Sequence, residues 1–177
     1  TPLNANVGVI AVKVTATDSG NAAITDTFNI TVTNTNDAPT VVNPMIDGTA
    51  TEGVSYVWQF NENIFSDVDV DDSLTYTATL EDGSDLPSWL TFDADTLTAS
   101  GTPPNSAVGV IVGKLTATDT SGASVSDVVA LTVTNTNDAP TVANPIADQT
   151  IAEDSALSFQ FASDVFADVD VGDSFTY

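Results

Sequence analysis

The sequence contains no cysteine and no histidine, and only two of its 177 residues, Lys13 and Lys114, are basic. Without cysteine there are no disulfides and no thiolate metal sites, although this does not place the protein inside a cell. Two lysines cannot neutralise a phosphate backbone or an anionic lipid surface, so we expect neither nucleic acid as a partner nor direct membrane insertion. No apolar run approaches the roughly 20 residues of a membrane-spanning helix.

Apolar residues nevertheless make up 42% of the chain, which is too many for a disordered polyelectrolyte despite a net charge of −23. This charge opposes compaction through self-repulsion. Either solvent screens it or bound multivalent cations neutralise it, and the positions of the carboxylates decide between the two.

The chain repeats itself at a fixed spacing. Residues 1–76 align without a gap to residues 102–177, an offset of 101, and 41 of the 76 positions are identical. The segment Thr33–Val41 recurs unchanged as Thr134–Val142, and the Asp67–Val70 motif recurs at 168–171. This pattern predicts a tandem array of domains of period 101.

The Asn-Asp-Ala-Pro segments that end at Pro39 and Pro140 mark the domain junctions, because proline cannot continue a strand ladder. Residues 1–39 are then the C-terminal part of one repeat, with its last two strands, and residues 40–140 are a complete repeat. Residues 141–177 are the N-terminal part of the next repeat, with its first three strands. We expect further sequence to complete both fragments, the rival being strand pairing with a neighbouring chain.

Short β-branched and aromatic runs with period-2 alternation, separated by turn residues, predict an all-β fold. In the complete repeat, strands are expected near 45–51, 54–60, 74–80, 89–92, 97–100, 110–118 and 124–134. Seven short strands in about 100 residues are typical of an antiparallel Greek-key β-sandwich of immunoglobulin-like architecture.

Acidic and amide residues gather at the expected junctions. They form a loop with Asp67, Asp69, Asp71 and Asp72, a strand end at Asp119, and two linkers with Asn34, Asn36, Asp37 and Asn135, Asn137, Asp138. Ca²⁺ binds six to eight such oxygens, whereas the alternative interpretation is a set of solvated turn residues. Recurrence favours calcium, since Glu52, Asp67, Asp69 and Asp72 return as Glu153, Asp168, Asp170 and Asp173. An EF-hand is excluded because the sixth and twelfth loop positions are Asp72 and Ala78.

The complete repeat resembles the cadherin-like domains of the dystroglycan type, which are common in bacterial surface adhesins. The matching segments are Phe65-x-Asp67-x-Asp69-x-x-Asp72-x-Leu74-Thr75-Tyr76, Leu86-Pro87-Ser88-Trp89-Leu90-Thr91-Phe92-Asp93, Ser100–Pro103, Val108-Gly109, Thr116–Asp119 and Asn135-x-Asn137–Pro140.

This resemblance implies calcium at each junction. At the first junction the implied ligands are Asn34, Asn36, Asp37, Asp67, Asp69 and Asp119, and at the second they are Glu52, Asn135, Asn137, Asp138, Asp168 and Asp170. Cadherins carry an acidic Asp-Arg-Glu stretch where this chain has Ser100–Pro103, and the junction here is one residue shorter. The resemblance therefore implies fewer or weaker calcium ions per junction.

Other chemistry is poorly supported by the residues present. Trp58, Trp89 and Tyr56 could stack on sugars, but aromatics in a sandwich usually pack in the core. Paired carboxylates can hydrolyse glycosides, but the chain has only four glutamates and no histidine, and its acidic residues gather at the domain ends. Serine and threonine nucleophiles lack an activating base, so we expect no enzymatic activity.

We therefore expect a calcium-stiffened stalk or adhesion segment of a large secreted or surface-anchored bacterial repeat protein, mediating cell-cell or cell-surface attachment. Its partners would be the neighbouring repeats of the same chain. The alternatives are a module that binds polysaccharide or identical domains on other cells, or an accessory module of a secreted polysaccharide-degrading enzyme.

Overall fold

The computed structural model describes residues 1–69 and 71–177, so Val70 of the Asp67–Val70 motif lies outside the described residues. The strands are β1 (Gly8–Thr17), β2 (Ala23–Val32), β3 (Thr40–Val41), β4 (Gly48–Thr51), β5 (Tyr56–Gln59), β6 (Phe65–Ser66), β7 (Thr75–Leu80), β8 (Leu90–Asp93), β9 (Thr98–Gly101), β10 (Gly109–Thr118), β11 (Ser124–Thr134), β12 (Thr141–Val142) and β13 (Phe166–Ala167). Two short 3₁₀ turns, Asn4–Asn6 and Asn105–Ala107, complete the secondary structure of this part of the chain. Neither turn has the length or apolar character that crossing a bilayer would require.

The central repeat is a two-sheet sandwich. One sheet has the order β4-β11-β10-β7, the other has the order β5-β9-β8, and β3 pairs with β6 beside them. Strand β4 runs parallel to β11, and all other pairs are antiparallel. The chain changes sheet between β4 and β5, returns through β6 to the first sheet at β7, and changes again between β7 and β8 and between β9 and β10, so both sheets contain strands that are distant in sequence. The prediction of an all-β Ig/cadherin-like sandwich is confirmed, and each of the seven expected strands is found.

Alternation along β10 and β11 places one face of each strand in the core. Leu115 and Ala117 of β10 are 3% and 0% exposed, and Leu131 and Val133 of β11 are 7% and 2% exposed. Such alternation is what a half-buried antiparallel sheet requires. Two buried clusters result: the first contains Ile64, Phe65, Leu115 and Ala117, and the second contains Ala50, Leu131 and Val133.

Both tryptophans pack in the sandwich rather than forming an open sugar platform. The Trp58 indole lies so close to Gly48 that a Cβ at this glycine would collide with it, and Gly101 faces Trp89 equally closely. Trp89 and Tyr56 pack against the second buried cluster. Burial raises the pKa of the Tyr56 phenol to about 12. The expectation that these aromatics belong to the core is confirmed.

The flanking segments adopt parts of the same pattern. Strands β1 and β2 form a hairpin in the register Gly8↔Val32, and β10 and β11 share that register 101 residues later as Gly109↔Val133. The hairpin leaves apolar side chains exposed, such as Ile24 at 76%.

Residues 141–177 differ from the expectation. Strands β12 and β13 pair as β3 and β6 do, but the described counterparts of β4 and β5, at 149–152 and 157–160, are not strands, so the prediction of three strands there is wrong. In the central repeat those strands pair with β11 and β9, which have no counterpart after residue 141 of this sequence. The domain boundaries at 39/40 and 140/141 stay predictions.

Candidate metal centre at the repeat junctions

The loop that follows β6 brings three carboxylates together. Asp67, Asp69 and Asp72 each offer one oxygen, and these oxygens lie within 4.8 Å of one another. The Asp69 N–H donates to Asp67 Oδ1 (2.9 Å), and Asp71 takes the left-handed conformation (φ +66°), which turns the chain so that Asp72 returns to the cluster. The next repeat has Gly172 at the position of Asp71, with φ +98°. The turn is therefore a requirement of the loop, and Asp71 itself stands outside the cluster.

The carboxylate of Asp69 is buried, and only one of its two oxygens accepts a hydrogen bond from the described residues. Its side chain is 8% exposed, and Oδ2 accepts a hydrogen bond from the Asp37 N–H of the linker (2.8 Å). Its Oδ1 and Asp67 Oδ2 are both buried and have no hydrogen-bond partner among residues 1–69 and 71–177. An ionised oxygen left unpaired in the interior is costly unless a cation compensates for it.

Asp119 joins the same junction through the turn between β10 and β11. Its Oδ1 accepts from the N–H groups of Ser121 (2.9 Å) and Ala123 (2.8 Å), which hold this turn in shape. Its Oδ2 accepts from Asn36 Nδ2 of the linker (3.0 Å). The Asn36 amide is the main cause that lowers the pKa of Asp119 below its ordinary value. Asn34 is exposed, and its side chain makes no hydrogen bond among the described residues.

The second junction has a larger carboxylate cluster. Glu52, Asp138 and Asp170 form one group of oxygens within 4.8 Å of one another, and Asp168, Asp170 and Asp173 form another, so Asp170 belongs to both. Asp170 is 7% exposed, and its Oδ2 accepts from the Asp138 N–H (2.7 Å).

Glu52 reaches this junction from the upstream repeat, directly after β4. Its Oε1 accepts from the Thr136 N–H of the linker (2.8 Å), whereas its Oε2 is buried and has no partner among the residues that the structure describes. Asn137 donates to the neighbouring Asp138 carbonyl (2.8 Å), and Asn135 is exposed with no side-chain hydrogen bond in the described part of the chain.

Four residues with contacts at the junctions were not among the predicted ligands. Asp72 and Asp173 complete two of the carboxylate groups. Asn4 Nδ2 donates to Asp37 Oδ2 (2.9 Å), and Asn105 Nδ2 donates to Asp170 Oδ1 (3.2 Å). The signal that could have found them is their identity between repeats at the offset of 101, since Asn4 aligns with Asn105 and Asp72 with Asp173.

The donor set fits a hard divalent cation. The atoms that could bind a metal are carboxylate and amide oxygens, which Ca²⁺ prefers, and three of the carboxylate oxygens are buried without a partner in the described part of the protein. Lys114 does not compensate for them, because its Nζ donates to the Glu81 carbonyl (3.2 Å). A cation bound from solution would supply the positive charge that these oxygens lack.

Comparison with known proteins identifies the domain type. The profile of the family described as "Putative Ig domain" matches residues 38–134, more than half of the chain. The structure is similar to the protocadherin gamma B4 extracellular domain, with a TM-score of 0.57, 20% identity, and coverage of 78% of this chain and 22% of that one. Extracellular cadherin domains 1–4 of protocadherin gamma B7 match with a TM-score of 0.53 and 20% identity over 86% of this chain and 38% of that one.

A third match is an endo-fucoidan hydrolase from glycoside hydrolase family 107, with a TM-score of 0.44, 23% identity, and coverage of 76% of this chain and 20% of that one. No curated protein matches the sequence. The chain spans only 20% to 38% of the length of these three structures.

Proposed function

This chain belongs to the "Putative Ig domain" family, and from that premise we propose that it is a stalk segment of a large extracellular adhesion protein. Tandem sandwiches would be joined end to end, with Ca²⁺ at each junction limiting the bending between them. The observation that carries this proposal is a set of buried carboxylate oxygens on Asp67, Asp69 and Glu52, which lie at the expected junctions and find no hydrogen-bond partner within the described residues.

The contacts of the second linker favour a stiffening role. Glu52 of the upstream repeat accepts from the Thr136 N–H, and Asp170 of the downstream repeat accepts from the Asp138 N–H. The linker backbone is thus held from both sides by carboxylates that also lie in one cluster. A cation bound by Glu52, Asp138 and Asp170 would connect the two repeats directly and would restrict the hinge between them.

The overall charge favours the same interpretation. With a net charge of −23 and two lysines, the chain cannot neutralise its own carboxylates, and the two junctions concentrate them within 4.8 Å of one another. Ca²⁺ that binds the native junction but not the unfolded chain stabilises the folded array by linkage. The function we infer is mechanical and non-catalytic, on the surface of a bacterial cell or in a secreted protein. The neighbouring repeats are the first partners, and polysaccharide or identical domains on other cells are the targets of attachment.

Small-angle X-ray scattering of the 177-residue chain, in Ca²⁺ and then in chelator, tests the proposal. We expect the maximum dimension and the rigidity to fall when the ion is removed. The double variant Asp67→Ala, Asp69→Ala should lose the part of the calcium-dependent rise in melting temperature that the first junction contributes, whereas the second junction keeps its carboxylates. The matched control is Asp82→Asn in the exposed turn between β7 and β8, which should behave as the parent chain. Scattering curves and melting temperatures that are the same with and without Ca²⁺ would refute the stalk mechanism.

A further inference from the structure

The side chain of Asp72 has an unequal distribution of hydrogen bonds between its two oxygens. Oδ1 accepts three of them, from Ser73 N–H (2.8 Å), Thr120 N–H (3.1 Å) and Thr120 Oγ1 (2.6 Å). Oδ2 accepts none from the described residues.

This arrangement orients the carboxylate from a distant part of the chain. Asp72 lies in the loop after β6, whereas Thr120 lies in the turn between β10 and β11, 48 residues later. Three donors on one oxygen fix the rotation of the carboxylate and leave the other oxygen available. Asp72 supplies an oxygen within 4.8 Å of oxygens on Asp67 and Asp69, and Asp69 is buried with Oδ1 unpartnered.

We propose that Asp72 is a third carboxylate ligand of the cation at the first junction and that Thr120 is the residue that positions it. This inference rests on the proposed function and adds a coupling to it. The turn that carries Thr120 also carries Asp119, which binds Asn36 of the linker. Cation binding at the loop therefore tightens the β10–β11 turn, and through Asp119 the turn tightens the linker.

The chain contains a matched control for this arrangement. In the turn after β7, Asp82 Oδ1 accepts from both the N–H (2.9 Å) and the hydroxyl (2.6 Å) of Ser84. The pair has the same chemistry as Asp72 and Thr120, in which one aspartate oxygen accepts from both the N–H and the hydroxyl of a single residue. Asp82 does not belong to any of the carboxylate groups found in the described residues. An effect that comes only from losing a hydrogen-bonded aspartate must therefore appear both at Asp72 and at Asp82.

The experiment is a Ca²⁺ titration of the full chain followed by ¹H–¹⁵N NMR, with the backbone amides of Asp37, Asp69 and Thr120 reporting on the first junction only. We expect Asp72→Asn to weaken binding there by about tenfold or more, since the number of charged ligands sets the affinity for Ca²⁺. Thr120→Val, which removes a partner of a ligand, should weaken it by about tenfold. Thr120→Ser should restore the affinity of the parent chain.

Asp82→Asn and Ser84→Ala should leave the titration unchanged, and the dispersion of each spectrum establishes that the variant is folded. Hydrogen exchange at residues 119–123 should slow on addition of Ca²⁺ in the parent chain but not in Asp72→Asn. The inference is overturned if Asp72→Asn binds like the parent chain, if Thr120→Ser fails to restore what Thr120→Val loses, or if Asp82→Asn weakens binding equally. Absence of any Ca²⁺-dependent shift in the parent chain would instead overturn the proposed function.

Discussion

Replacing Asp69 by asparagine should stabilise the protein in chelator and destabilise it in Ca²⁺. The substitution is isosteric, so it creates no cavity in the loop. It removes the repulsion between Asp69 and each of two carboxylates within 4.8 Å, which Coulomb's law puts at about 1 kcal/mol per pair at the dielectric constant of water and about 3.5 kcal/mol at an effective value of 20. Against this, the hydrogen bond from Asp37 N–H loses its charge assistance, about 1 kcal/mol. The expected net gain in chelator is about 1 kcal/mol or more.

Ca²⁺ should reverse the sign of the effect that Asp69→Asn has on the free energy of unfolding. At a free concentration of 100 times its dissociation constant, Ca²⁺ adds about 2.7 kcal/mol to the stability of a protein that binds it only when folded. The asparagine variant loses most of this contribution, so in Ca²⁺ it should fall about 1 to 2 kcal/mol below the parent chain. Because the two effects have opposite signs, a simple structural defect at residue 69 cannot imitate them.

Urea unfolding at constant ionic strength measures both effects, with the fluorescence of the chain's two tryptophans, Trp58 and Trp89, as the probe. Both indoles pack in the central sandwich and report on its unfolding. Asp82→Asn changes the net charge by the same amount at an exposed turn and should show no reversal. If Asp69→Asn lowers stability in chelator as well as in Ca²⁺, the reasoning from buried repulsion is wrong.

Three more predictions concern the sandwich and the first linker. Gly101→Ala would drive a Cβ into the carbonyl of the facing tryptophan and should lower the free energy of unfolding by about 1 to 3 kcal/mol, whereas Gly113→Ala, whose Cβ would meet its nearest atom at 3.8 Å, should be tolerated in the same urea experiment. Asn36→Ala should raise the pKa of Asp119 toward its ordinary value, as measured by a ¹³C carboxyl titration in chelator. Asp119 contributes stability above its unfolded pKa and loses it as the pH falls, so the variant should reduce this contribution. An unchanged pKa of Asp119 would contradict the prediction. Tyr56, with its pKa raised to about 12 from 10.0, should ionise late in an alkaline absorbance titration, and the stability that it contributes should be present below pH 10.0 and lost as the pH rises toward 12; early ionisation would mean that its ring is not buried.

The sandwich could be predicted from sequence because its signals are local. Alternation such as Leu115-Thr116-Ala117 determines which side of β10 is buried, whatever strand lies beside it. The short pair β3 and β6 was not anticipated, since two-residue strands contain too few positions for a period to appear. The missing strands between residues 141 and 177 have a different cause. Their sequence resembles β4 and β5, but a strand forms only when a partner strand is present.

The junction was predictable as a chemical type and less so as a set of contacts. Carboxylates at Asp67 and Asp69 were expected to converge, because they alternate within one extended loop, and the structure places them in one cluster. The contribution of Asp72 depends on Thr120, which lies 48 residues away in another turn. Asn105 and Asp170 are 65 residues apart. Contacts between residues so far apart in sequence depend on the assembled sandwich, so no local sequence pattern predicts them.

The two junctions share the hydrogen bond between the linker and the loop after β6, although their surroundings differ. The Asp37 N–H donates to Asp69 Oδ2 at 2.8 Å, and the Asp138 N–H donates to Asp170 Oδ2 at 2.7 Å. The first junction follows an isolated hairpin and precedes a full sandwich, whereas the second follows the full sandwich and precedes a segment with one strand pair. Since the geometry recurs despite these differences, the linker and the loop after β6 determine it locally. A hydrogen bond specified by the linker and the loop themselves can form wherever both segments recur, as they do here at an offset of 101 residues.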